Sequence, residues 1–212
     1  MSLALFSALA AAVTVGGLAA VVWAARLARA VPAARRKSLA LGVLLICGSV
    51  LALRPAAWPA IDLAVLAGAA GAVVLIEGAL QNAASVAVFL AVAGTVDFLS
   101  MSAGISRVLV ERYRSGSSDL LVYLSLVIPV HGRAIPIVGV SDLLIAGSAA
   151  AALLRLGLRP AAVMGATIAG LLGALAYGLW RGGAPALPFV AVAVCALVWR
   201  HGRSTRSGKL GT

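Results

Sequence analysis

The sequence predicts an all-α fold, a polytopic bundle of about seven helices that cross a lipid bilayer. Three observations carry this expectation: 63% of the 212 residues are hydrophobic, only 11% are charged, and the charges are bunched between long apolar runs. Mean hydropathy is +1.10, whereas a soluble domain keeps roughly a quarter of its residues charged to clothe its surface.

A helix needs about twenty apolar residues to cross the hydrocarbon core. Seven segments approach that length: 3–25, 38–53, 60–80, 83–103, 135–154, 160–180 and 185–199. The second and last are short, which partial unwinding, extension into the flanks or local thinning of the bilayer would accommodate. Pro32 and Arg35-Arg36-Lys37 punctuate the first gap, Pro55 and Pro59 the second, and Gln81-Asn82 the third. Ala28-Arg29-Ala30 is similar to a signal-peptidase site, but the basic charges follow the apolar run, so the first helix is read as retained. The long polar stretch 104–133 holds one apolar piece, 120–130, too short to span and closed by Pro129, hence an interfacial or re-entrant element. The chain reads as one membrane domain, with N-terminal helices over 1–81, a second half over 82–200 that holds Asp97, Asp142 and Pro185-Ala186-Leu187, and a basic tail over 201–212.

Net charge is +11, which in a soluble protein would suggest nucleic acid. Here the basic residues sit at helix ends and in the tail, with no interleaved aromatics to stack bases, so no nucleic-acid partner is expected. Counted over alternate loops, Arg26, Arg29, Arg35, Arg36, Lys37, Arg155, Arg159, Arg200, Arg203, Arg206 and Lys209 share one side. Arg54, Arg107, Arg112, Arg114, Arg133 and Arg181 share the other. The positive-inside rule then places the C-terminal tail in the cytoplasm of a cell membrane, and the Ala-rich, compact chain suggests a prokaryote. Cys47 and Cys195 both lie in apolar runs, as packing residues, and no metal or other cofactor is expected.

The six acids are Asp62, Glu77, Asp97, Glu111, Asp119 and Asp142. Asp62 and Glu77 lie near opposite ends of the third helix and read as interfacial, Glu77 alternatively as a satisfied polar contact. Asp97 lies shortly before the end of the fourth helix and Asp142 shortly after the start of the fifth. Both carboxylates therefore fall on the order of 10 Å below the same membrane surface, on antiparallel helices. An ionisable group at that depth is a functional candidate by default. Two carboxylates sharing a low-dielectric site do not both ionise easily, so one keeps its proton while the other acts as base on a water. The plain alternative is that each Asp hydrogen-bonds a neighbouring helix.

Gly139-Val140-Ser141-Asp142 and Pro185-Ala186-Leu187-Pro188 resemble motifs of the presenilin and signal peptide peptidase family. Its members carry one Asp in a helix, a second in a Gly-x-Gly-Asp motif on the next, and a later Pro-Ala-Leu. Val96-Asp97 stands where the family has Tyr-Asp, and Arg107-Val108-Leu109-Val110-Glu111 follows. The likeness covers roughly the second half of the chain. It implies an intramembrane aspartyl protease in which Asp97 and Asp142 are catalytic and Gly139, Ser141, Pro185, Ala186 and Leu187 shape the site. Its substrates would be single-pass membrane proteins or signal peptides. Val96 and Ser141 depart from the motifs, and the family has nine helices. Zigzagging helices put Pro185 on the same face as both acids without any appeal to family. The stretch 134–138 reads either as a strand edge for an unwound substrate or as an ordinary helix start.

Three other readings compete. Gly139-Val140-Ser141 looks like the Gly-x-Ser of rhomboid serine proteases, but His131 and His201 lie away from any helix centre where they could act as base. Type 4 prepilin peptidases pair two aspartates without Pro-Ala-Leu. From a different class, a transporter or channel would use the same acids to relay protons or cations, and a catalytically silent homologue would only bind helices.

Overall fold

The computed structural model describes residues 2–53, 57–181 and 184–207, with side chains as far as residue 201. Nine helices and one hairpin follow in order: α1 (Leu3–Ala28), α2 (Ala33–Ala52), α3 (Trp58–Ile76), α4 (Ala83–Ala103), α5 (Ile105–Arg114), α6 (Leu120–Tyr123), β1 (Ser125–Val130), β2 (Arg133–Gly139), α7 (Val140–Arg155), α8 (Pro160–Arg181) and α9 (Leu187–Ser207).

Among the described residues four helices, α1, α3, α4 and α8, are long and apolar enough to cross a membrane. This corrects the expectation of about seven spans, and each shortfall has a local cause. Helix α2 begins at Ala33 rather than at residue 38, so every stretch of it long enough to cross contains Arg35, Arg36 and Lys37. Helix α7 has 16 residues, about 24 Å, because residues 135–139 are strand. In α9 the apolar part, Leu187–His201, is short.

Large apolar side chains cover the outside: Leu45 is 73% exposed, Leu63 68% and Val88 63%. Water does not tolerate so continuous an apolar surface, which suits a membrane-associated protein. Trp58 and Trp180 stand exposed at one end of the bundle, and Trp23 and Trp199 near the other. That is the arrangement of aromatic belts at two lipid–water interfaces.

Helix α7 runs through the middle, touching α1, α3, α4, α8 and α9. Its run Ala149 to Leu153 is wholly buried, since small side chains let the surrounding helices close on it. Gly147 marks the tightest approach: a Cβ there would stand 2.9 Å from Val21 and 3.2 Å from Val73. A Schellman-type turn ends the helix, with Leu158 N–H donating to Leu153 O, Gly157 N–H to Leu154 O, and Gly157 at φ 85°.

At the N-terminal end of α7 the chain is a hairpin. Val130 pairs with Arg133 across a two-residue turn in which His131 and Gly132 have φ of 49° and 78°, a type I′ turn matched to strand twist. A bulge between Leu126 and Val127 shifts the register. There Asp62 reaches over from α3 and accepts the Val127 N–H at 2.9 Å. Asp62 is thus a hairpin anchor rather than a free interfacial acid. The piece 120–130, expected to be interfacial or re-entrant, forms α6 and β1 and does not span.

Glu77 is a satisfied polar contact, the second of its two readings, and is 2% exposed. Arg29, at the end of α1, grips it with two bonds, Nε to Oε1 at 3.2 Å and the Nη2 group to Oε2, and also donates to Ala151 O. Arg155, from the end of α7, donates to the carbonyls of Glu77 and Leu80. The C-terminal ends of α1, α3 and α7, whose last carbonyls lack intrahelical donors, are thereby clamped by guanidinium groups.

Candidate functional site

The opposite end of the bundle holds a cavity of about 630 Å³. Helix α4 delivers Asp97 to it. The start of α4 is fixed by a capping box, Asn82 Oδ1 accepting the Ser85 N–H while Ser85 Oγ accepts the Asn82 N–H. Its buried stripe is narrow, Val86, Leu90 and Gly94, one residue per turn. At Gly94 the missing side chain admits the start of α9: a Cβ would stand 3.3 Å from Pro188 N and Cα. One turn on, Asp97 Oδ2 accepts the Leu187 N–H at 3.0 Å, an orphan donor at the first residue of α9. Val96 faces outward, 59% exposed, so the residue that departs from the Tyr-Asp pattern does not line the cavity.

Helix α7 delivers Asp142. Strand β2 runs without a loop into the helix, and Asp142, in the first turn, accepts the Gly139 N–H at 3.2 Å. Two helix N-termini, of α7 and α9, thus aim their positive ends at one cavity, and each holds a carboxylate. Asp97 and Asp142 both line this cavity.

Of the other expected site residues, Gly139, Ser141 and Ala186 line the cavity. Leu187 contributes its N–H while its side chain is buried, and Pro185 stands just before α9 without lining the cavity. The helix expected from residue 185 starts at Leu187, so Pro185-Ala186 is non-helical backbone, tolerated at depth where it borders a cavity. The second expectation for residues 134–138 holds no longer: they are strand, and helix begins only at Val140.

Sequence reasoning passed over Gly94, Asp62 and Tyr113. The Tyr113 hydroxyl donates to Ala134 O at 2.8 Å, and burial pushes its phenol above the ordinary range. Helix α5 lies across the cavity mouth with Ser106, Leu109, Val110 and Tyr113 inward and Arg107 and Glu111 outward. That i, i+3, i+4, i+7 spacing was legible as an amphipathic face. The β2 strand, Ile135 through Gly139, forms another wall, and Thr14 of α1 and Leu171 and Leu175 of α8 are among the rest of the lining. The strand pairs with β1 on one side, while Asp62 occupies the outer side of β1.

No protein-family model matches the chain, and no curated protein or solved structure matches it. The resemblance to presenilin and signal peptide peptidase is therefore corrected: short motifs, two of them altered, stand on a bundle with four helices long and apolar enough to cross a membrane among its described residues instead of the nine membrane-crossing helices the family would bring. What the chain shows by itself is a small helical protein suited to a membrane, with two carboxylates from separate helices at one cavity.

Proposed function

We propose that this protein hydrolyses peptide bonds in or near membrane-spanning segments of other proteins, using Asp97 and Asp142 and one water. One observation carries the proposal: two acids on different helices line a single cavity, and a strand paired on one side only forms its wall. A carboxylate pair at close range shares a proton. The ionised member takes a proton from water as the water oxygen bonds to the peptide carbon. The protonated member gives its proton to the carbonyl oxygen. Collapse of the tetrahedral gem-diol breaks the C–N bond: the pair's proton passes to the leaving amine while one diol hydroxyl returns its proton to the pair as it becomes the acid's carbonyl, restoring the shared proton. The two assignments are not fixed to either residue, because a coupled pair titrates as a unit.

Strand β2 suits the substrate's needs. A peptide bond inside a helix is shielded, and an extended segment added along β2 would present it open. Substrates of this kind are single-pass membrane proteins or signal peptides.

The test uses a labelled single-pass helix and the purified protein in lipid, comparing wild type with Asp97→Asn and Asp142→Asn. Asparagine keeps an oxygen to accept the Leu187 or Gly139 N–H, so the helix ends stay capped. Cleavage by wild type and loss in both variants supports the proposal. Equal cleavage by all three would reduce the acids to capping groups, and gradient-driven proton or cation flux that both variants abolish would replace hydrolysis with transport.

A further inference from the structure

A second cavity, about 880 Å³, lies at the far end of the bundle between the first half of α8 and the last described turns of α9. Its shape follows from how those helices cross. At Gly170 they pinch, a Cβ there standing 2.6 Å from Val190 Cα, whereas a Cβ at Gly165 would meet nothing within 4 Å. The helices therefore splay toward the N-terminus of α8, and Gly165, Ala166, Ala193 and Leu197 line the opening. At its mouth stand Arg159 and Arg200, both exposed, and no carboxylate lines the cavity. Elsewhere in the bundle Arg29 is satisfied by Glu77, and Arg155 by backbone carbonyls.

An apolar cleft on a membrane-crossing helix, open on its outer side and ending in two guanidinium groups at the interface, matches one ligand chemistry. We propose that this cleft binds an anionic glycerophospholipid, its phosphate on Arg159 and Arg200 and one acyl chain along Gly165 and Ala193. Guanidinium forks suit phosphate oxygens, and basic pockets between membrane helices recognise anionic headgroups. The site is separate from the two carboxylates and does not depend on hydrolysis.

The experiment measures lipid retained by the full-length protein in neutral-detergent micelles by native mass spectrometry, titrating phosphatidylglycerol, phosphatidylcholine and inorganic phosphate. Three proteins are compared: wild type, Gly165→Leu, which extends into the cleft from a position where a Cβ meets nothing within 4 Å, and the double variant Arg159→Gln/Arg200→Gln. Wild type is expected to hold phosphatidylglycerol about tenfold more tightly than phosphatidylcholine, and each variant to erase most of that preference. A preference that survives both variants would overturn the proposal in favour of diffuse attraction to the basic face. Inorganic phosphate that displaces the lipid at equal concentration would overturn it in favour of a soluble anion. Should Gly165→Leu fail to fold, the double arginine variant decides alone.

Discussion

The two ends of this bundle treat buried charge in opposite ways. At one end Glu77 meets Arg29 in a two-pronged pair, and Arg155 closes the carbonyls beside it. At the other, Asp97 and Asp142 line one cavity, and each accepts a backbone N–H at a helix start. Opposite charges in contact satisfy one another and resist change, so the first end is a clamp. Two carboxyl groups at a shared opening keep capacity for a proton, a water or a ligand, and the proposed hydrolysis rests on that end.

The sharpest way to break this contrast is to neutralise each end in turn. Asp97→Asn or Asp142→Asn is expected to lower cleavage by about 10³-fold while leaving the unfolding midpoint close to wild type; large instability would make the acids structural. Glu77→Leu should do the reverse. It strands the Arg29 guanidinium and is expected to cost on the order of 3 kcal/mol, read by denaturant unfolding in micelles, and a loss near zero would dissolve the distinction between clamp and site. Gly94→Leu tests the mounting of the active end. It drives a side chain into the Pro188 backbone, should cost about 1–3 kcal/mol, and should impair cleavage by moving Leu187 away from Asp97. At the small extreme is Glu111→Gln, which removes the exposed pair with Arg107 and should shift neither stability nor cleavage measurably.

Much of this was legible in the sequence. Residues 83–103 were read as a helix with its final bounds, because Asn82 marks the start and an unbroken apolar run follows. The alternation of helices was enough to send Asp97, Asp142 and Pro185 to one end. The hairpin was not legible. Ile135-Pro136-Ile137-Val138 is a short apolar run that periodicity alone does not divide between helix and strand. Only pairing with β1 across the two-residue turn at His131-Gly132 decides it. For Glu77 the sequence leaves two readings open for a related reason, since its burial depends on Arg29 arriving from another helix. Asp62 and Val127 meet across a long sequence separation with no local signal. The span count failed because hydropathy was counted in segments whose true ends took in Arg35 to Lys37 or gave residues to a strand.

The shortness of α7 has a consequence for hydration. Its 16 residues rise about 24 Å, less than the roughly 30 Å of a hydrocarbon core, while α1, with 26 residues, rises about 39 Å. Strand β2 and the start of α7 therefore sit recessed below the rim that the longer helices define. Inside a bilayer, polar backbone at such a level calls for water or protein around it, so a recess of this kind would hold water in an otherwise dry layer. The distance from Asp142 to the lipid–water boundary would then follow from the shortness of α7 and the thickness of the surrounding bilayer.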